Sequence, residues 1–210
     1  MWRIYPLISL LLALSAHVSA QSETGIREVN FENRTFPFTA DTIAALPRSI
    51  HVSEGRYRSP HREPSLTYAY FKVAEVVYGD LNGDDRDEAA VVAIYGGASS
   101  DTYKTSVYLY TMNGRRPKLL AILNEKAIAR EYGRTSRNGE SSFFEAVAGG
   151  TTIEQRRLTV RHFAGSAHCC PRNVFTLRYR LNEGRLALVG KSLRRKEEAE
   201  ERIPHSAEDR

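Results

Sequence analysis

Short stretches rich in apolar, β-branched and aromatic residues dominate the middle of the chain. Residues 68–78 (YAYFKVAEVVY) and 102–112 (TYKTSVYLYTM) have the composition that strands favour. Residues 88–95 (EAAVVAIY) are apolar at successive positions, as expected for a central strand that is covered on both faces. The pattern therefore predicts a sheet with a buried strand at its centre.

Turn residues between these stretches predict antiparallel neighbours. Asn113-Gly114 lies between two apolar runs and is the strongest short hairpin signal in the chain. Residues 182–184 (NEG) predict a three-residue loop before the last strand, and residues 174–181 alternate apolar with threonine and arginine positions. We expect a mainly β fold, a single antiparallel sheet-based domain with one or two minor helices, one of them at residues 39–46.

The first twenty residues follow the pattern of a cleavable secretory signal peptide. Arg3 is followed by an almost continuously apolar run, residues 4–14, and small residues precede a cut after Ala20. The run is shorter than the roughly 20 residues that cross a bilayer, and no later stretch is apolar enough to do so. We expect export to the periplasm or the extracellular space, with no transmembrane segment in the mature chain. An uncleaved N-terminal anchor is the alternative.

Length and charge bound the rest of the chain. Cleavage would remove 20 of 210 residues, and we expect a single β-rich domain over residues 21–190 followed by a charged tail over residues 191–210. Thirty basic and 25 acidic side chains give a net charge of +5, and the basic residues are dispersed along the sequence. Dispersed charge predicts solubility rather than nucleic-acid binding, and we expect an envelope or extracellular protein partner if there is one.

The strongest chemical signal is residues 80–88 (DLNGDDRDE), an acidic stretch between two predicted strands. Ca²⁺ binds about six to eight oxygen atoms. A tightly curled loop can turn alternate side chains inward, and five carboxylates beside one arginine would repel one another without a cation. The predicted ligands are Asp80, Asn82, Asp84, the Arg86 carbonyl, and Asp87 or Glu88 as the closing carboxylate. The alternative is a solvated acidic turn that binds nothing.

Cys169 and Cys170 are the two cysteines of the chain, and they are adjacent. Neighbouring cysteines cannot link distant segments, so an oxidised pair would form a local turn or a reducible switch. Zinc sites use separated pairs such as C-x₂-C, so a soft-metal site with His162 and His168 is the less favoured interpretation. Redox chemistry and intermolecular pairing are further alternatives.

Sequence motifs for the common catalytic machineries are absent. The chain has no nucleophile-elbow, zinc-protease, phosphate-loop or dinucleotide-binding pattern. Glu75, inside an apolar stretch, is the carboxylate whose pKa burial could raise. An exported hydrolase would need Glu75, Asp101 or His162 gathered around a water molecule, which is a hypothesis that only a structure can test.

Two resemblances follow from these motifs. The order of GDLNGDDRDEAAVV, YLYTMNGRRPKLLA and CCP looks like a group of uncharacterised exported bacterial proteins, and it is more distantly similar to LppP/LprE-type lipoproteins. The acidic stretch resembles the calcium loops of FG-GAP repeats, with Asp85 in place of the usual glycine. Residue 21 is glutamine, so a lipid-modified cysteine is missing, and the loop occurs once, so the propeller fold does not carry over. The resemblance implies no enzyme activity.

Three functions remain open from the sequence. The leading one is a non-enzymatic, exported binding or envelope-associated module with one structural calcium-type loop. The second is an exported hydrolase with a site on its loops. The third is a thiol-redox or soft-metal protein that uses Cys169 and Cys170.

Overall fold

The computed structural model describes residues 25–38, 47–59, 69–97, 104–133, 146–164 and 172–197. The predicted helix at residues 39–46 and the Cys169-Cys170 pair lie outside the described residues. Two short 3₁₀ helices, Ile26–Glu28 and Phe31–Asn33, precede the strands. The first seven strands are β1 (Thr35–Pro37), β2 (Ser49–His51), β3 (Arg56–Arg58), β4 (Ala69–Gly79), β5 (Glu88–Gly97), β6 (Lys104–Asn113) and β7 (Arg116–Leu123). After them come α1 (Glu125–Gly133) and strands β8 (Thr152–Glu154), β9 (Arg157–Ala164), β10 (Asn173–Asn182) and β11 (Arg185–Arg195).

The strands form three antiparallel sheets. A five-stranded sheet has the order β3-β4-β5-β6-β7, a four-stranded sheet has the order β11-β10-β9-β8, and β1 pairs with β2. The mainly β, antiparallel character is confirmed, but the expectation of a single sheet is wrong. The physical reason lies in β5 and β6, which are apolar on both faces and therefore need a covering layer on each side.

Two cores lie on opposite faces of the five-stranded sheet. The first core packs β1, β2 and the 3₁₀ helices against that sheet; its largest fully buried side chains are Phe36, Ile50, Phe71, Tyr95 and Tyr108. The second core packs the four-stranded sheet and α1 against the other face; its largest fully buried apolar side chains are Leu81, Leu109, Ile128, Leu158, Phe175 and Leu177. Strand β5 contributes to both, as its apolar composition predicted.

Tight turns set the register of two hairpins. The hairpin predicted from Asn113-Gly114 joins β6 to β7, but its two loop residues are Gly114 and Arg115, because Asn113 already pairs with Arg116; Gly114 has a φ of 60°. The loop between β10 and β11 is one residue shorter than predicted, because Asn182 already pairs with Arg185. Its two residues, Glu183 and Gly184, both have positive φ, which matches the twist of the flanking strands.

The end of the chain differs from the sequence-based expectation. Strand β11 runs to Arg195, which pairs with Asn173, so ordered structure continues past the expected boundary at residue 190. Its residues are mostly exposed because β11 is an edge strand, and this is why their composition resembled that of a charged tail. Within the described ranges, no helix has the length and apolar character needed to cross a membrane.

Candidate functional site

The acidic loop, residues 80–88, lies where the two larger sheets meet. It connects β4 to β5, and Leu81 points inward as a fully buried member of the second core. Just before it, the backbone of Gly79 lies against Ile153 of β8, where an added Cβ would stand 2.7 Å from the Ile153 carbonyl oxygen. The loop is therefore anchored to the four-stranded sheet as well as to its own strands.

Side-chain oxygens inside the loop accept hydrogen bonds from its own backbone. Asp80 accepts from the N–H groups of Gly83 and Asp85 at 2.5 and 3.3 Å. Asn82 Oδ1 accepts from the Asp84 N–H at 2.8 Å, and Asp84 Oδ1 accepts from the Arg86 N–H at 3.0 Å. These successive turns curl the loop into the tight shape that the Asp/Asn/Gly sequence favours.

Two residues of the loop have a left-handed backbone. Gly83 has a φ of 86° and Asp85 a φ of 61°. Aspartate tolerates this region better than most residues, so Asp85 adopts the conformation for which the resembling calcium loops use glycine. The departure from the calcium-loop pattern at this position therefore leaves the curl intact.

Glu88 closes the loop from the first position of β5. It is fully buried; its Oε2 accepts from the Leu81 N–H at 2.9 Å, and its Oε1 accepts from Asn82 Nδ2 at 3.1 Å and from the Thr111 hydroxyl at 3.0 Å. Burial raises the pKa of this carboxyl, and the nearby charges of Asp84 and Asp80 raise it further. The sequence predicted Glu88 as a calcium ligand and not as the acceptor of these hydrogen bonds; its partner Thr111 on β6 is 23 residues away in sequence.

Arginines from distant parts of the chain supply counter-charge to the loop. Arg27, in the first 3₁₀ helix, forms an ion pair with Asp87 at 2.5 Å and lies over the Tyr78 ring. The Arg156 guanidinium, from the turn between β8 and β9, rests on Gly83, where an added Cβ would stand 2.5 Å from its Cζ. Two guanidiniums, neither of which was predicted to lie here, thus reduce the electrostatic repulsion between the carboxylates of the loop.

The fit of a cation to this loop is partial. Each carboxylate oxygen of Asp80 and Asp84 accepts one hydrogen bond, so each has a second lone pair. Asn82 Nδ2, however, donates to both Asp84 Oδ2 at 3.0 Å and Glu88 Oε1, and so bridges carboxylates that a metal would otherwise join. In the described ranges no three His, Cys, Asp or Glu side chains are grouped closely enough to hold a metal ion.

The other candidate residues are not brought together. Glu75 is half-buried on β4 beside a β-bulge, and burial raises the pKa of its carboxyl. His162 lies on β9 in a different sheet; it is fully buried, and neither ring nitrogen has a hydrogen-bond partner among the described residues. Burial lowers the pKa of His162 to about 4. Asp101, His168 and the cysteine pair lie outside the described residues.

Comparison with protein-family models, with curated proteins and with solved structures finds no match.

Proposed function

We propose that the protein is an exported, non-enzymatic binding or envelope-associated module in which the acidic loop binds Ca²⁺ as a structural brace. The observation that carries the brace is the position of the loop, because Leu81 and Arg156 tie it to the second core and to the four-stranded sheet. A catalytic assembly has less support, because Glu75 and His162 lie on different sheets and His162 is fully buried.

Calcium would replace the hydrogen bonds that Asn82 Nδ2 donates to Asp84 and Glu88. Asp80 and Asp84 offer oxygens that each have a remaining lone pair, and the Asn82 side chain would present Oδ1 in place of Nδ2. Asp87 is engaged by Arg27, and Glu88 already accepts three hydrogen bonds, so both are weaker ligands than the sequence predicted. A site with few charged ligands of this kind corresponds to a Kd of about 0.1 mM, in the range of extracellular modules.

Thermal unfolding of the exported protein in EDTA, in Mg²⁺ and in Ca²⁺ tests this proposal. Ca²⁺ at about ten times its Kd stabilises a folded state by roughly 1.4 kcal/mol, which raises the midpoint by about 3–5 °C at this chain length. We expect the rise in Ca²⁺ and a smaller one in Mg²⁺. The double variant Asp80→Asn, Asp84→Asn should lose the response, because it retains side-chain size but removes two negative charges.

The matched control is Glu154→Gln with Glu183→Gln, which removes the same charge from two exposed positions outside the loop. It should respond to Ca²⁺ as the wild type does. An unchanged midpoint in wild-type protein, or an equal response in the loop variant, would reject the calcium site and leave an acidic turn held by hydrogen bonds.

Export is tested separately by the mass of the secreted chain. Cleavage after Ala20 gives a product that begins at Gln21, whereas an uncleaved anchor retains all 210 residues in the membrane fraction. Recovery of the full-length chain from the cytoplasm would overturn the export proposal.

A further inference from the structure

The outer face of the four-stranded sheet differs in character from its inner face. On β10, Phe175 and Leu177 point into the second core, so Thr176 and Arg178 point outward. The register carries this division across the sheet. Arg178 lies between Thr159 of β9 and Gly190 of β11, and Thr176 lies between Arg161 and Ser192.

Six arginines from three strands share this outer face. The basic face comprises Arg157, Arg161, Arg178, Arg180, Arg185 and Arg194, all half-buried or exposed. Glu154 of β8 lies opposite Arg157 at the corner of the sheet. No carboxylate in the described ranges forms an ion pair with Arg161, Arg178, Arg180 or Arg194. Among the described residues, the positive charge of these four arginines is therefore not balanced by ion pairs.

The arrangement is long and narrow. The register places Arg194 beside Val174, and Arg180 lies six residues further along β10. Residues two apart on a strand are about 6.7 Å apart, and neighbouring strands are about 4.8 Å apart, so the charges cover a track of roughly 20 Å by 10 Å along the strands. Hydroxyl groups of Thr159 and Ser192 lie between the arginines. A track of this shape fits one extended chain.

We propose that the basic face binds a linear polymer through its phosphate groups. Guanidiniums pair with phosphate oxygens in bidentate geometry, and the neighbouring hydroxyls can donate to the remaining oxygens. The proposal rests on the proposed function of a binding module but not on the calcium loop, which connects β4 to β5 of the five-stranded sheet.

Two observations favour recognition of the phosphate groups of a polymer over stacking of nucleic-acid bases or binding to a lipid membrane. Phe163 is the aromatic residue on this face, and Lys196 already lies over its ring at 5.3 Å, so that ring face is not available to stack a base. Leu188 and Val189, the two exposed large apolar side chains of the described ranges, lie at the bulge of edge strand β11. Arginines rather than apolar side chains thus dominate the face, whereas an interfacial membrane-binding surface inserts apolar groups.

Binding of inorganic polyphosphate to the exported protein is the test, measured by titration at several salt concentrations. The variant Arg161→Glu, Arg178→Glu should bind at least tenfold more weakly and with a shallower salt dependence, because two phosphate contacts are lost. The control Arg48→Glu, Arg56→Glu makes the same change in net charge at exposed positions outside this sheet and should bind within about threefold of wild type.

Each other outcome decides against the proposal. Equal weakening in both variants means attraction by net charge alone, and no binding at low salt removes the site. Tighter, base-dependent binding of single-stranded DNA would mean that the partner is a nucleic acid. Binding to anionic vesicles but not to polyphosphate would mean that the partner is a membrane. The Asp80→Asn, Asp84→Asn variant should bind polyphosphate normally, so failure of the calcium brace and failure of the basic face are distinguishable.

Discussion

The acidic loop and the basic face differ in whether their charged side chains have hydrogen-bond or ion-pair partners. The acidic residues of the loop are contiguous in sequence, yet Asp80, Asp84 and Glu88 accept backbone or side-chain hydrogen bonds, and Asp87 pairs with Arg27. The arginines of the basic face are spread over almost forty residues, yet the register gathers them, and most of them form no ion pair with a described carboxylate. Density of charge along a chain is therefore a poor guide to unpaired charge in space.

Burial explains the difference in role. Glu88 is fully buried, so its carboxyl is retained only with three hydrogen bonds, and these hold the loop in one shape. Arg180 is exposed and remains hydrated whether or not it has a partner. Charges of the loop should consequently affect stability, and charges of the basic face should affect binding.

The largest expected effect comes from Glu88→Ala. The substitution leaves three donors, the Leu81 N–H, the Asn82 amide and the Thr111 hydroxyl, without their acceptor in a buried site. We expect a loss of about 3 kcal/mol in the free energy of unfolding, measured by urea denaturation. Arg180→Ala should change it by no more than about 0.5 kcal/mol. Similar losses in the free energy of unfolding for the two variants would contradict the proposed difference between the acidic loop and the basic face.

A smaller effect separates the two faces of β9. His162 points into the second core and Arg161 points outward. The folded-state pKa of His162 is about 4, below its unfolded value of 6.5, so the unfolded state binds the proton first. Neutral His162 therefore makes its full contribution to the free energy of unfolding above pH 6.5, and this contribution falls as the pH drops towards 4. The contribution between pH 7.5 and pH 5 is about 2 kcal/mol.

The measurement is the difference in pH dependence between wild type and His162→Leu over that interval. The leucine variant has no titrating group at this position and should lose less stability on acidification by about 2 kcal/mol. The control Arg161→Leu should retain the wild-type pH slope, because arginine stays charged throughout. Parallel curves for wild type and His162→Leu would mean that His162 is charged at low cost, as an exposed base is.

Local patterns account for the part of the fold that was predicted. Alternation placed Tyr108 and Tyr110 opposite Val107 and Leu109, and these pairs do lie in different cores. The division into three sheets was not predictable, because it depends on which strands pair and on what covers each face. Helix α1 was missed because its nine residues are polar overall and only Ile128, Glu131 and Tyr132 are buried.

The candidate site likewise has features that could be predicted from the sequence and features that could not. The curl of the acidic loop follows from residues two to five positions apart, so the sequence could predict it. The partners that decide its charge balance come from far away, since Arg27 is 60 residues from Asp87. The basic face needs the pairing of three strands, and the sequence alone showed only its β10 arginines, Arg178 and Arg180, as an alternating pattern.

The smallest expected effect concerns the ion pair between Arg27 and Asp87. The Arg27 side chain is 62% exposed and that of Asp87 is 29% exposed, so solvent screens their attraction. A double-mutant cycle of Arg27→Ala and Asp87→Ala should give a coupling free energy below about 1 kcal/mol, reduced further in 1 M salt. Arg27 also covers the Tyr78 ring, so Arg27→Ala alone should cost more than Asp87→Ala alone. A coupling free energy of about 3 kcal/mol would instead mean that this exposed ion pair stabilises the fold as strongly as the buried Glu88 does. Exposed charges of the loop would then affect stability as its buried charge does, unlike the exposed charges of the basic face.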